Sequence, residues 1–202
     1  MEYQVQYQKY LEKVSSSLKE ACDRFLPEES EVCRAARYSL LGGGKRIRAV
    51  LVLSVCEMLG GDIAAAEQFA VAVEMLHCYS LIHDDLPCMD NDDLRRGRPS
   101  CHKAFSESTA MLAGDVLLTE AFEVIANAPA SAQACVRAAK ALGAGAGSHG
   151  MVYGQELDLK YEALAATEDQ LRLIHRNKTG ALINAAVQMG AAAAEADEET
   201  CN

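Results

Sequence analysis

The chain of 202 residues has no tryptophan, four phenylalanines and only 5% aromatic residues in all. Sheet sandwiches and barrels draw on aromatic and β-branched residues, so this shortage speaks against them, and the abundance of alanine suits close-packed helices instead. Proline is scarce as well, four residues in all, at 27, 87, 99 and 129. No apolar run is long enough to span a membrane. The first residues, MetGluTyrGlnValGlnTyrGlnLys, have neither an apolar signal core nor an Arg/Ser-rich transit character. A cytoplasmic protein without stable membrane anchoring is expected. The eight cysteines (22, 33, 56, 78, 88, 101, 135 and 201) form no CxxC pair, so a zinc knuckle or thioredoxin-type site has no support. HisCys at 77–78 and CysHis at 101–102 are adjacent pairs, a poor spacing for ligands. Most of the thiols read as small buried hydrophobes in a reducing compartment. Positive charge is in deficit, with a net charge of −10. That argues against nucleic acid and anionic membranes as partners, but not against a small anionic substrate met by locally clustered cations. The 50% hydrophobic and 24% charged content is that of an ordinary globular domain, read here as one domain over residues 1–202.

What is abundant is charge in one place. The stretch from Leu81 to Pro99 carries Asp84, Asp85, Asp90, Asp92 and Asp93, then Arg95, Arg96 and Arg98. Carboxylates this dense repel one another unless cations sit among them. A divalent metal answers the acids, and an anion bridging metal and guanidinium groups, such as a diphosphate, answers both halves. Mg²⁺ suits this pattern because it takes a few carboxylates, keeps waters and accepts phosphate oxygens. An EF-hand fails on spacing: counted from Asp90, position six is Arg95 instead of Gly and position twelve is Cys101 instead of Glu.

Helical periodicity runs through the rest. Residues 3–25 place Tyr3, Tyr7, Tyr10 or Leu11, Val14, Leu18, Cys22 and Phe25 on one face, and Pro27 ends the helix. A short helix runs on to Leu41. Gly42, Gly43 and Gly44 then precede Lys45-Arg46-Ile47-Arg48. This is no Walker loop, because the lysine lacks a following Ser or Thr and the glycine spacing fails. It predicts a helix from Lys45 to about Leu59 with cations in its first turn, where Lys45 and Arg48 share a face. Such cations oppose the helix dipole. Either they form a solvated basic turn or a bound phosphate group reverses the cost. A helix from about Ile63 to His83 puts Phe69, Val73, Leu76, Ser80 and Asp84 on one stripe, with His77 close to it. His77 is then either a satisfied core histidine or part of a polar pocket in a helix bundle. Pro87 is expected to kink this helix or loosen its hydrogen bonds, and residues 97–105 to form a loop. Helices follow at about 109–127 and 131–142, the latter decaying into GlyAlaGlyAlaGlySerHisGly. The small residues there permit close helix approach. Gln155 and Asp158 lie three apart on a helix face, and Thr167 to Gln170 is a capping box. The helix it opens aligns Leu171, Ile174, His175, Lys178 and Leu182. An ammonium on that stripe either has an anion or snorkels to the surface. A last helix covers 181–194. No strand is expected anywhere.

GlyGlyLysArgIleArg, then HisCysTyrSerLeuIleHisAspAspLeuProCysMetAspAsnAspAspLeuArgArgGly, then GlyGlnGluLeuAspLeu, then LysThrGly occur in this order. Together they resemble the trans-isoprenyl diphosphate synthases, and within them the bacterial-type farnesyl diphosphate synthases, over about residues 30–190. The resemblance implies an all-α antiparallel helix bundle around a deep central cavity, working as a homodimer. It implies Mg²⁺ on Asp84 and Asp90, with Asp85 a supporting carboxylate. Arg95 and Lys178 are implied to hold the allylic diphosphate, and Lys45, Arg48, His77 and Arg96 the diphosphate of isopentenyl diphosphate. The Thr179 hydroxyl would face the developing allylic cation, with Gln155 and Asp158 near it. Chain length would be set at Tyr79 and Ser80. Tyr79 lies five residues before Asp84, about 7.5 Å along a helix, and an aromatic there closes the cavity floor in such enzymes. With the Pro87-Cys88 insertion this favours farnesyl diphosphate as product; geranyl and geranylgeranyl diphosphate are the alternatives. A second Asp-rich motif expected toward the C-terminus is absent, since the acids after residue 182 are only Glu195, Asp197, Glu198 and Glu199. The chain is therefore expected to be a C-terminally incomplete synthase domain, either a fragment of a longer synthase or a shortened relative, with little turnover alone. Two other classes stand beside this reading. A terpene cyclase would not need the second cationic set, and a non-catalytic diphosphate-binding subunit would not release pyrophosphate.

Overall fold

The computed structural model describes residues 3–162, 164 and 166–197; Glu198, Glu199 and Cys201 of the acidic tail lie outside the described residues. The fold is all-α apart from one very short hairpin. In chain order the elements are α1 (Tyr3–Phe25), α2 (Glu31–Leu40), α3 (Ile47–Met58), α4 (Ile63–Asp84), β1 (Leu94–Arg95), β2 (Arg98–Pro99), α5 (Cys101–Ala104), α6 (Glu107–Ala126), α7 (Ala132–Ala146), α8 (Met151–Glu162), α9 (Glu168–Ile174), a π-helical turn (His175–Gly180) and α10 (Ala181–Ala193). They form two compact units, Met1–Val50 with Ala70–Asn127, and Leu51–Phe69 with Ala128–Asn202. No helix among the described residues is long and apolar enough to cross a membrane.

In the first unit α2 packs on α6, and α5 on α6. Helix starts follow side-chain chemistry. The Ser30 and Ser106 hydroxyls accept from the N–H groups of Cys33 and Thr109, satisfying donors the helices themselves cannot. The buried face of α1 begins at Tyr10 and continues through Val14, Leu18 and Cys22. The expected stripe fails at its start: Tyr3 is exposed and merely stacks on Tyr7, with ring centroids 5.9 Å apart. The single stripe read into α4 is also too narrow. Every residue from Ala70 to Leu76 is buried, so this helix is enclosed on all sides.

In the second unit α10 lies along α7 through buried alanines, among them Ala138, Ala141, Ala185 and Ala186. Helix α7 does not decay at residue 142 but continues to Ala146, because this packing outweighs the poor helix propensity of its glycines. Thr167 and Gln170 form the expected capping box.

Five described cysteines (Cys22, Cys33, Cys56, Cys78 and Cys101) are buried, as expected; Cys88 is exposed and Cys135 half-buried. Burial pushes the Cys78 thiol up to about 12 and Cys22 to about 11, which keeps both protonated and unreactive at neutral pH.

Candidate active site

The glycine-lysine segment is not the first turn of a helix. Helix α3 starts at Ile47, so Lys45 and Arg46 precede it and do not share a helical face with Arg48. Gly43, Gly44 and Arg46 all have positive φ, at 89°, 124° and 51°. Gly44 cannot be replaced freely, because at its φ a side chain is strained and a Cβ would lie 2.6 Å from the Arg96 guanidinium carbon. The turn sorts its cations. Arg46 folds inward, donating from Nη1 to Glu74 Oε2 (3.1 Å) and from Nη2 to the Leu40 carbonyl (2.6 Å). The other Glu74 oxygen accepts the Ala49 N–H at 3.3 Å. Lys45, Arg46 and Arg48 line a cavity of about 530 Å³ with His77, Arg96 and Glu74.

Two polar atoms in this group are buried without partners, Arg48 Nε and His77 Nδ1. Burial lowers the Arg48 pKa, partly countered by the charge of Glu74. The His77 imidazole is pushed down to about 3, first by burial and then by the charges of Arg48, Arg96, Arg46 and Arg95. It is neutral at physiological pH. A cavity with clustered guanidinium groups, one with an orphaned N–H donor, has the chemistry of an anion site.

Arg96 reaches this cavity from the hairpin. Leu94 pairs with Pro99 and Arg95 with Arg98, leaving Arg96 and Gly97 as a two-residue loop. Both have positive φ, 56° and 77°, as a primed hairpin turn requires. The Arg96 Nη1 donates to the Gly43 carbonyl. The sequence reading expected no strand and a plain loop over 97–105. Both expectations fail here: the hairpin holds Arg96, and α5 follows from Cys101.

The acidic stretch differs from expectation in two ways. Pro87 does not kink α4, which ends at Asp84; the proline lies in the turn beyond. And cations of the chain itself meet Asp85, Asp92 and Asp93. Asp85 is buried and takes a two-pronged bond from Arg95, Nε lying 3.0 Å from Oδ1. Arg95 also sits 3.6 Å from Asp92, and Lys103 lies 2.9 Å from Asp93. The bond to Asp85 raises the Arg95 pKa, and the bond from Lys103 lowers that of Asp93. The chain meanwhile folds back between Asp84 and Asp90, the Asp90 N–H donating to the Asp84 carbonyl at 2.8 Å. Among the described residues no three His, Cys, Asp or Glu side chains gather closely enough to hold an ion alone. Two hard carboxylates brought together by a turn fit Mg²⁺, which fills the rest of its shell with water and phosphate oxygens. Tyr79, below Asp84 on the same helix, is buried with its ring edge-on to His83 at 5.7 Å. Burial raises its pKa, as does the charge of Asp84. The Ser80 hydroxyl donates to the His77 carbonyl at 2.9 Å.

The second unit holds the other predicted residues. Lys178 is not on an unbroken helical stripe: residues 175–180 form a π-turn, and Leu171 and His175 are exposed. Its anion is internal, the Asp158 carboxylate 2.5 Å away. Thr179 is exposed beside it, and the Gln155 amide nitrogen is buried without a partner. π-turns recur at functional sites because they break the regular hydrogen-bond ladder. Gly154 of α8 seats this one. A Cβ there would lie 2.1 Å from the Lys178 amide nitrogen. Gly154→Ala is expected to cost about 3 kcal/mol, since backbone cannot yield as a side-chain tip can. Urea unfolding checks this, and a loss below about 1 kcal/mol would show that the contact is slack.

Sequence reading missed Glu74 and the inward role of Arg46. The available signal was a lone acid in the run AlaValAlaValGluMetLeu, three residues before His77.

Comparison with known proteins places the chain in a family. Residues 29–202 match the family model for polyprenyl synthetase. The chain is 47% identical over 178 residues to farnesyl diphosphate synthase of Micrococcus luteus, covering 88% of this chain and 60% of that protein. It is 45% identical over 190 residues to geranylgeranyl pyrophosphate synthase 4 of Arabidopsis thaliana, covering 92% and 51%. It thus spans between half and two thirds of the length of these two curated relatives. Among solved structures it superposes with a TM-score of 0.90 on a geranyltransferase from Legionella pneumophila, at 42% identity over 96% of this chain and 70% of that one. An FPP/GFPP synthase from Zymomonas mobilis also gives 0.90, at 36% identity over 96% and 73%. With the glycine-lysine turn, the acidic-arginine hairpin and the lysine-threonine turn all present in a chain matched over most of its length, this protein belongs to the polyprenyl synthetase family.

Proposed function

We propose that this chain works in a magnesium-dependent prenyltransferase, condensing an allylic diphosphate (dimethylallyl or geranyl) with isopentenyl diphosphate. The observation that carries the reading is the cavity where Arg48 Nε and His77 Nδ1 lie buried and unpartnered between Lys45 and Arg96. It supports a site for the diphosphate of the isopentenyl substrate. A terpene cyclase has no use for this second cationic set.

The allylic diphosphate is assigned to Arg95, Lys178 and the acidic turn. Bound between Asp84 and Asp90, Mg²⁺ would supply positive charge that stabilises the departing diphosphate. Arg95 and Lys178 add donors to the same leaving group, and these act most strongly as charge develops in the transition state. Thr179, with Gln155 beside Asp158, faces the allylic cation by its hydroxyl. Exclusion of water from the site would protect that cation from being quenched. The isopentenyl double bond attacks it, a carbon–carbon bond forms, and a proton leaves to the released diphosphate. Tyr79 and Ser80 limit the product, for which farnesyl diphosphate is the proposed length. The named relatives include both farnesyl and geranylgeranyl synthases, so geranylgeranyl diphosphate is the alternative. A homodimer in the cytoplasm is proposed with it.

The test is incorporation of labelled isopentenyl diphosphate by the full-length protein, with and without Mg²⁺, followed by chromatography of the dephosphorylated products. A fifteen-carbon alcohol is expected. Pyrophosphate release from the allylic substrate without any need for isopentenyl diphosphate would instead indicate a cyclase, and no release at all a binding subunit.

A further inference from the structure

We infer that Glu74 is the positioning residue of the isopentenyl diphosphate pocket, an inference that rests on the function proposed above. A carboxylate in the wall of an anion site works against the ligand, so its presence there calls for another task. Glu74 is buried to 2% exposure in the enclosed middle of α4, and both its oxygens are used. One accepts from Arg46 and the other from the Ala49 N–H, in the first turn of α3. That second bond caps α3 from a different helix, in a place where the preceding residue, Arg46, offers no capping side chain.

The consequence is a division of labour among neighbouring cations. Arg46 adopts φ 51°, a left-handed conformation unfavourable for a non-glycine residue. Its guanidinium is held there by Glu74 and the Leu40 carbonyl. Arg46 lines the cavity together with Lys45 and Arg48, and its guanidinium is the one tied to the wall by Glu74 and the Leu40 carbonyl. Glu74 thus engages one cation of the cavity wall and fixes the turn and helix start that carry the others. It also cancels one buried charge next to His77, whose neutral ring lies in the same wall. Without the carboxylate, the turn loses the contact that justifies its conformation, and the Arg48 guanidinium loses its fixed start of helix.

The test uses Glu74→Gln in the full-length protein, an almost isosteric change that keeps an acceptor for Ala49. KM for isopentenyl diphosphate is expected to rise at least tenfold, with KM for the allylic substrate within twofold of wild type. The His77 ring resonances, followed during titration with inorganic pyrophosphate, are expected to report the same weakening. A second variant, Arg46→Met with Glu74→Met, removes both buried charges and separates a structural from a positioning role. Its thermal stability is expected to recover while pyrophosphate affinity stays at least tenfold below wild type. Wild-type isopentenyl diphosphate KM in Glu74→Gln, or recovery of both stability and affinity in the double variant, overturns the inference. Should Glu74→Gln not fold, the double variant decides alone. A wild-type protein that neither binds pyrophosphate nor consumes isopentenyl diphosphate defeats the proposed function itself, and the inference with it.

Discussion

Arg46→Met is expected to destabilise the protein by about 3–5 kcal/mol, the cost of leaving a buried charge without its partner. Glu74 would keep only the Ala49 N–H, and its side chain is 2% exposed in the ion pair, so water cannot replace the lost guanidinium. The Arg46 side chain is itself only 7% exposed, which makes this a core pair, unlike the solvated Arg172–Glu168 bridge, whose loss is expected to change little. Adding Glu74→Met to the Arg46 variant should restore most of the lost stability, because a buried apolar pair needs no charge compensation. Urea midpoints for the two single variants and the double variant form a closed cycle. A single-variant loss below about 1 kcal/mol would mean that the pair is open to solvent, contrary to its burial.

The second large effect is an acid instability centred on His77. Its pKa is about 3 in the folded chain and near 6.5 when unfolded. The unfolded state therefore takes up a proton that the folded state refuses. Stability is fully present above about pH 6.5 and is lost as pH falls toward 3, by up to about 1.4 kcal/mol per pH unit. Between pH 6.5 and 4.5 the wild type should lose roughly 2 kcal/mol more than a His77→Asn variant. Urea unfolding at the two pH values measures the difference. Equal losses in both proteins would show that His77 titrates normally and that the surrounding guanidinium groups do not reach it. Inorganic pyrophosphate should oppose the effect, since an anion beside the ring favours its charged form and raises its pKa. Its affinity should then strengthen as the pH is lowered toward the raised pKa.

Much of the architecture was legible along the chain. Pro27 and Thr167 announce where helices stop and start, because caps and missing N–H groups act within a few residues. The glycine-lysine turn, the acidic-arginine stretch, His77 and the lysine-threonine turn were all marked as sites from composition and order. Their local forms were not. The stripe proposed for Lys178 assumed an unbroken helical period, and the π-turn at 175–180 shifts that period. The kink assigned to Pro87 assumed a helix that in fact ends at Asp84. The demand of five carboxylates for a metal assumed that no cation of the chain would fold back, yet Arg95 and Lys103 do.

By itself the sequence determined the helical class, the helix boundaries set by caps and prolines, and which residue types could carry diphosphate chemistry. These depend on neighbours a few positions apart, which any reader of the chain can see. Only the tertiary structure decided what each charge does. Arg46 serves Glu74 across 28 positions, Arg95 serves Asp85 across ten, and Lys178 serves Asp158 across twenty. A charge takes whichever opposite charge the fold brings within about 3 Å. That choice lies in the packing of α4 beneath the turn before α3 and of α8 against the π-turn, and periodicity does not encode it.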